Sequence, residues 1–276
     1  MSTEDAPLAG YEKLQIFPKL TVNGFPKSGL HLALLMALCL VEEQAHSVSW
    51  IGTFEDHSWT TNWFDDMGIY RRIARNREGA YLKGHLGYRD DIAEFMDRCG
   101  IQMSFAYRDL RDVAISQSFH VISESENSLH SGKELYRAMP NQEARIIACI
   151  NGVKKYAGLI ERWELYAPWL DVDWVHPLRF EDMRLEPIRT SLGYTRYVYK
   201  RMAEVNRVDV EPSEAEINTR AFRMAMAMEE RGKVSPTFRR GIPGQWREYW
   251  TDKIDKAFDK AGGHEWNQKL GYEDGK

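Results

Sequence analysis

Cysteine is scarce in this chain: Cys39, Cys99 and Cys149 are the three in 276 residues. Odd in number and far apart, they offer neither a disulfide framework nor metal-ligand spacing, and they fit a reduced, cytoplasmic setting. Long apolar runs are missing too. Leu30 to Val41 spans about a dozen residues, short of the ~18 that a membrane span needs. Its depth in the chain and the acidic, proline-containing stretch before it set it apart from a signal-peptide core. A helix apolar on every side is instead the buried central helix of a layered domain. Charge of one sign is also absent. The net charge of −4 creates no global field toward nucleic acid, so an anionic ligand needs a local cluster of base. No repeat, heptad or low-complexity tract interrupts the sequence.

What is present reads as a folded globule, and 276 residues suit one large α/β domain more simply than two small ones. Residues 1–18 read as an arm and 19–276 as the domain. Apolar residues around Val22 predict a strand, Val48–Ile51 a second and Tyr81–Leu86 a third. Ile101–Tyr107 alternates as a fourth strand, and Asp173–Phe180 as a fifth with Pro177 marking an edge or bulge. Between them, Asp90–Cys99 predicts a helix stopped by Gly100, and Asp109 is placed to cap the helix that follows. Residues 143–166 predict one long helix. Further helices are expected over 187–206 and 213–231, the second opened by a Ser213/Glu216 capping box. The loop-like stretch 121–143 is long enough to be functional, a lid near an acceptor site. Strands alternating with helices predict a central parallel sheet flanked by helices.

Between the first strand and the apolar helix lies Val22-Asn23-Gly24-Phe25-Pro26-Lys27-Ser28-Gly29. A strand–turn–helix with a lysine at the turn is a natural phosphate cradle, since the helix N-terminus offers backbone N–H groups and the positive dipole end. The order differs from Walker A, whose Lys-Ser/Thr follows the last glycine. On its own the turn also reads as an ordinary strand-to-helix connection.

Pro26-Lys27-Ser28-Gly29 resembles the loop that holds the 5′-phosphosulfate of PAPS (3′-phosphoadenosine 5′-phosphosulfate) in sulfotransferases, most nearly those of the cytosolic type. Four more stretches fit the family's order. Arg108 at a strand end and Ser116 on the next helix, within Tyr107–Ser116, resemble the 3′-phosphate-binding segment. Arg239-Arg240-Gly241, followed by Gly244-Gln245-Trp246, resembles the element that closes over the nucleotide. Lys83-Gly84-His85-Leu86 is similar to the family's Lys-Thr-His-Leu, and Phe180-Glu181-Asp182 to its Tyr-Glu-Asp turn. Taken alone, Arg108 to Ser116 is also a capped helix with surface charges, and His85 a structural hydrogen-bonder.

The resemblance implies a fold akin to nucleotide kinases and a sulfuryl transfer from PAPS, leaving PAP, to a hydroxyl or amine of a small, partly apolar acceptor. It assigns His85 as general base near neutral pKa, Lys27 to the bridging oxygen and Lys83 to the sulfuryl oxygens, with no metal. It assigns Pro26, Lys27, Ser28, Gly29, Leu30, His31, Arg108, Ser116, Phe180, Arg239, Arg240 and Gly241 to the nucleotide. Trp59, Trp63, Phe64, Tyr81, Phe119 and His120 are candidates for an aromatic acceptor pocket. No nucleic-acid partner is implied.

The sequence departs from the family where Gly29-Leu30-His31-Leu32 stands in place of Gly-Thr-Thr-Trp. Two hydroxyls and an adenine-stacking tryptophan are replaced; His31 is left to supply a phosphate contact, and Phe222 an aromatic wall. Asp252 and Lys256 depart from the family's dimer motif, so that dimer is not expected. Two other readings stand beside the enzyme: a non-catalytic PAP/PAPS-binding protein of the same fold, and a P-loop-type small-molecule kinase.

Overall fold

Short runs rich in β-branched, leucine and aromatic residues form a sheet whose two faces are both covered by helices. The structure, a computed structural model, describes residues 18–40, 47–53, 66–75, 80–123, 132–206, 212–231 and 240–272. Residues 1–17 of the expected arm, Trp59, Trp63, Phe64 and Arg239 lie outside them. In chain order the elements are β1 (Lys19–Gly24), α1 (Leu30–Leu40), β2 (Ser47–Thr53), α2 (Asp66–Ala74), β3 (Ala80–His85), α3 (Asp90–Arg98), β4 (Ile101–Tyr107) and α4 (Leu110–His120). Then come α5 (Lys133–Arg137), α6 (Gln142–Asn151), α7 (Leu159–Glu164), β5 (Val175–Arg179), α8 (Phe180–Leu185) and α9 (Pro187–Asn206). The last are α10 (Glu214–Arg231), α11 (Asp252–Lys260) and α12 (Gly263–Lys269).

The strands form one sheet in the order β2-β3-β1-β4-β5, every pairing parallel. Parallel pairs need crossovers, and helices provide them. From β1 the chain goes to one side for β2 and β3, then to the other for β4 and β5. The carboxyl end of β1 therefore lies at a topological switch point, where open α/β sheets place their ligands. Pro177 falls on β5, at the sheet edge, where a missing N–H is tolerated.

Alternation along the strands feeds two cores. Leu20, Val22, Tyr81, Ala106 and Leu178 face α1, α9 and α10. Leu82, Ile101, Met103 and Phe105 face the opposite layer, with Trp163, Trp169, Trp246 and Phe258. α1 is buried around most of its circumference, from Leu30 to Leu40, which explains its unbroken apolar run. Among the described residues no helix is long and apolar enough to cross a membrane.

The helix expected over 143–166 is two helices, α6 and α7. Gly152 separates them at φ +78°, a conformation L side chains rarely adopt; a Cβ there would lie 2.6 Å from the Tyr156 carbonyl oxygen. Val153 and Tyr156 then exchange backbone hydrogen bonds of 2.9 and 3.0 Å in a tight turn. Within the loop expected over 121–143, the described part contains the short helix α5.

The start of α4 is fastened by the end of the chain. Asp109 caps it, accepting from the Arg111 N–H at 2.9 Å, and pairs with the Arg111 guanidinium at 2.9 Å. Asn267, buried on α12, donates to Asp109 Oδ1 at 2.8 Å and accepts from the Leu110 N–H at 3.0 Å. Asn267→Ala takes the acceptor from the buried Leu110 N–H and one donor from Asp109, and should cost about 2 kcal/mol of unfolding free energy in urea. A change within about 0.5 kcal/mol would show that the clamp adds nothing beyond surface-level effects.

Candidate active site

β1 ends at Gly24, and the next residue anchors the turn. The Phe25 N–H donates to the Ala106 carbonyl at 3.1 Å. Its ring is buried edge-on against Trp163 (5.3 Å) and Tyr166 (5.2 Å). With Phe25 fixed, Pro26 and Lys27 stay half-buried at the bend while Ser28 turns inward. Lys27 has φ +71° and Gly29 φ +94°, so the turn uses left-handed backbone twice, once at a residue with a side chain. Gly29 is needed on a second count: a Cβ there would lie 2.6 Å from the Phe180 ring. The Gly29 carbonyl accepts from the Leu32 and Ala33 N–H groups at 2.9 and 3.1 Å, starting α1 at the loop's edge.

β3 runs beside β1, Val22 opposite Lys83 and Asn23 opposite Gly84. Alternation puts Tyr81, Lys83 and His85 on one face. Tyr81 is buried under α1, and Lys83 and His85 are half-buried nearer the strand end. His85 Nδ1 lies 2.6 Å from the Gly24 carbonyl. A carbonyl only accepts, so Nδ1 carries the proton and the lone pair sits on Nε2. Burial pushes the imidazole down to about 4, the Lys27 and Arg162 charges lowering it further against the Gly24 hydrogen bond. That is well below the near-neutral value expected from the sequence.

Three residues that sequence reasoning missed hold His85 in place. Asn23 makes a reciprocal pair with the Leu86 backbone, donating to its carbonyl at 2.9 Å and accepting from its N–H at 2.8 Å. Trp169 Nε1 donates to the same carbonyl at 2.8 Å, and the Tyr166 hydroxyl to the His85 carbonyl at 3.2 Å. Asn23 had a visible signal, an amide inside an otherwise apolar strand. Tyr166 and Trp169 had none, since only the tertiary fold brings them to β3. Arg162 was also missed. It is buried on α7, its guanidinium 5.3 Å from the centroid of the Phe25 ring.

His31, in the first turn of α1, is exposed; its pKa is nonetheless lowered, by burial of the ring nitrogens and then by the positive charges of Lys83, His85 and Lys27. Lys27, His31, Lys83 and His85 thus form one basic cluster at the carboxyl end of the sheet. Leu30 and Leu32 point into the core.

A second cluster lies at the carboxyl end of β4. Arg108 is buried, stacked on Phe180 at 4.1 Å, and donates to Asp112 at 2.8 Å and to the Ile242 carbonyl at 3.1 Å. Phe180 therefore touches the loop at Gly29 and Arg108 together, joining the two clusters. Ser116 is half-buried two turns further along α4. Gly241 is present at φ +61°, while the exposed Arg240 pairs with Glu248 at 2.5 Å. Phe119 packs edge-on to Tyr249 at 5.4 Å beside His120 at the end of α4. Phe222 is exposed on α10, and Tyr81 is sealed in the core.

The donor set suits a multiply charged anion. Ser28 Oγ and Arg108 Nε are buried donors with no hydrogen-bond partner among the described residues, one in each cluster. Such groups are costly unless a ligand or water meets them.

No protein-family model and no curated protein matches the chain. Solved structures do match. Mouse sulfotransferase SULT7A1 complexed with PAP is 15% identical, with a TM-score of 0.56 over 92% of this chain and 85% of that one. Retinol dehydratase in complex with androsterone and inactive cofactor PAP is 16% identical, with a TM-score of 0.52 over 89% and 80%. The same enzyme with retinol and PAP is 15% identical, with a TM-score of 0.52 over 92% and 81%. Identities this low speak for architecture alone: the chain has a sulfotransferase-like α/β fold, a parallel sheet flanked by helices.

Proposed function

We propose that the chain is a PAPS-dependent sulfotransferase acting on a hydroxyl or amine of a small, partly apolar acceptor. The observation that carries this reading is the His85 imidazole held by the Gly24 carbonyl at 2.6 Å, beside the lysine-bearing turn of a sulfotransferase-like fold. Ser28, Gly29 and the backbone N–H groups opening α1 would receive the 5′-phosphosulfate, with His31 in place of the family's hydroxyls. Arg108, Ser116 and the Arg239–Gly241 segment would receive the 3′-phosphate. PAPS when bound supplies a sulfuryl group on a phosphate leaving group.

His85 Nε2 is the acceptor-facing base in this reading. It takes the proton of the attacking hydroxyl or amine as the new sulfur–oxygen or sulfur–nitrogen bond forms. Lys27 neutralises the charge that collects on the departing phosphate oxygen, and Lys83 the charge on the sulfuryl oxygens. Because the cations are fixed before reaction, most of the acceleration comes from position and electrostatics. The low pKa keeps His85 neutral, the form able to accept a proton; anions arriving beside it raise its basicity.

Labelled sulfate transfer from PAPS across a panel of phenols, alcohols and amines tests the activity. Product with at least one acceptor is expected; PAP binding without any transfer favours the non-catalytic binder, for which Leu30 and His31 in place of the family's hydroxyls speak. Absence of PAP binding refutes both. His85→Ala should lower kcat by at least about a hundredfold, the usual worth of a general base, while leaving the Kd for PAP within about twofold. Equal turnover would remove His85 from the chemistry.

The pH profile follows from the shifted imidazole. With a folded pKa of about 4, below the unfolded value, the neutral base persists as pH falls through 6.5. The acid limb of kcat/KM in the free enzyme should therefore lie near pH 4 rather than 6.5. The same sign makes the fold lose stability as pH drops from about 6.5 toward 4. A limb at 6.5 that disappears in His85→Ala would show the imidazole titrating normally.

A further inference from the structure

Asp112 lies one helical turn beyond Arg108, its side chain fully buried on α4. It is an acid in the first turn of α4, where local sequence accounts for it by the helix dipole alone. Its carboxylate in fact gathers donors from two distant parts of the chain. Oδ2 accepts from Arg108 Nη2 at 2.8 Å and from the Gly244 N–H at 2.8 Å, and Oδ1 accepts from the Trp246 N–H at 2.8 Å. The Ile242 carbonyl closes the ring by accepting from the same Arg108 nitrogen at 3.1 Å. Arg111, one residue before Asp112, stacks on the Trp246 ring at 4.0 Å and is itself held by Asp109. Segment 242–246 is thus bound to α4 chiefly through one carboxylate.

A neutral amide cannot reproduce this. All the groups facing the carboxylate are donors, and an asparagine would turn N–H toward at least one of them. The negative charge beside Arg108 also works against a phosphate there. On charge alone, removing it would tighten anion binding; on geometry, removing it would let Arg108 and segment 242–246 drift apart.

We propose that Asp112 is a positioning residue that fixes Arg108 and segment 242–246 as one unit, giving the site its preference for nucleotides bearing a 3′-phosphate. The inference rests on the sulfotransferase reading and adds that geometry outweighs charge at this carboxylate. It acts through Arg108 and the Gly244 and Trp246 backbone, without touching the nucleotide.

The test compares adenosine 3′,5′-bisphosphate with adenosine 5′-monophosphate by calorimetry on the full chain and on Asp112→Asn. The parent should prefer the bisphosphate. Asp112→Asn should lose about tenfold or more in affinity for the bisphosphate, the scale of one charge-assisted contact, and less than about twofold for the monophosphate. Equal losses for both ligands would mean a general structural role and overturn the proposal. Unchanged or tighter bisphosphate binding would show the carboxylate acting only as a competing charge, and overturn it as well. Hydrogen exchange on the parent chain gives a result that does not depend on the variant folding. The Gly244 and Trp246 amides should be protected several-fold more by the bisphosphate than by the monophosphate, and equal exchange would refute the coupling. A parent chain that binds neither nucleotide would refute the sulfotransferase reading itself, an outcome distinct from a parent that discriminates and a variant that discriminates equally.

Discussion

One hydrogen bond organises the carboxyl end of the sheet, that from His85 Nδ1 to the Gly24 carbonyl. Gly24 is the last residue of β1 and His85 the last of β3, so the bond ties two neighbouring strands just where the ladder between them stops. It fixes the imidazole tautomer and satisfies a carbonyl that the turn would otherwise leave exposed at the strand end. Asn23, Trp169 and Tyr166 hold the backbone on the other side of the ring. A side chain supported by this many contacts loses little entropy on meeting a partner, as the role of base proposed for His85 requires.

The same end of the molecule concentrates positive charge, and the fold manages it differently in its two clusters. Around β1 and β3, Lys27, His31, Lys83 and His85 face one another, and both imidazoles answer by staying neutral. At β4 the cation is an arginine, which does not lose its proton, and Asp112 compensates it. The imidazoles of the first cluster are able to take up protons where negative charge approaches. The second cluster cannot, since its arginine keeps its charge. Phe180 lies between the two, against Gly29 on one side and under Arg108 on the other.

Much of the scaffold was legible in the sequence because period-two alternation and capping chemistry are local signals. The bounds of β4 and α9, the Asp109 cap and the edge position of Pro177 all follow from residues within a few positions. The break between α6 and α7 was missed, though Gly152 and Gly158 were visible. A glycine inside an apolar helical pattern is often tolerated, and only the Tyr156 carbonyl beside Gly152 shows that a turn is required. The candidate residues stood out in the sequence as motif-bearing stretches, not as an arrangement. Lys27, Lys83 and His85 stand on motif-bearing stretches, whereas Asn23, Arg162, Trp169 and Asp112 act through partners far away in sequence, beyond the reach of any local pattern.

The replacement of two hydroxyls and a tryptophan by Leu30-His31-Leu32 has a packing explanation. Leu30 and Leu32 are buried where α1 enters the core with Phe180 and Met183, and α1 is apolar on nearly all sides from there to Leu40. Apolar residues at the start of this helix bury area that hydroxyls would not, at about 25 cal/mol per Å². The first turn is thereby given to stability. His31 alone of the three positions is exposed, and it joins the lysines rather than the core. In the proposed sulfotransferase reading, His31 puts a ring nitrogen beside the lysines where the family has a hydroxyl. The start of α1 is thus built for packing, with His31 the residue of its first turn left outside the core.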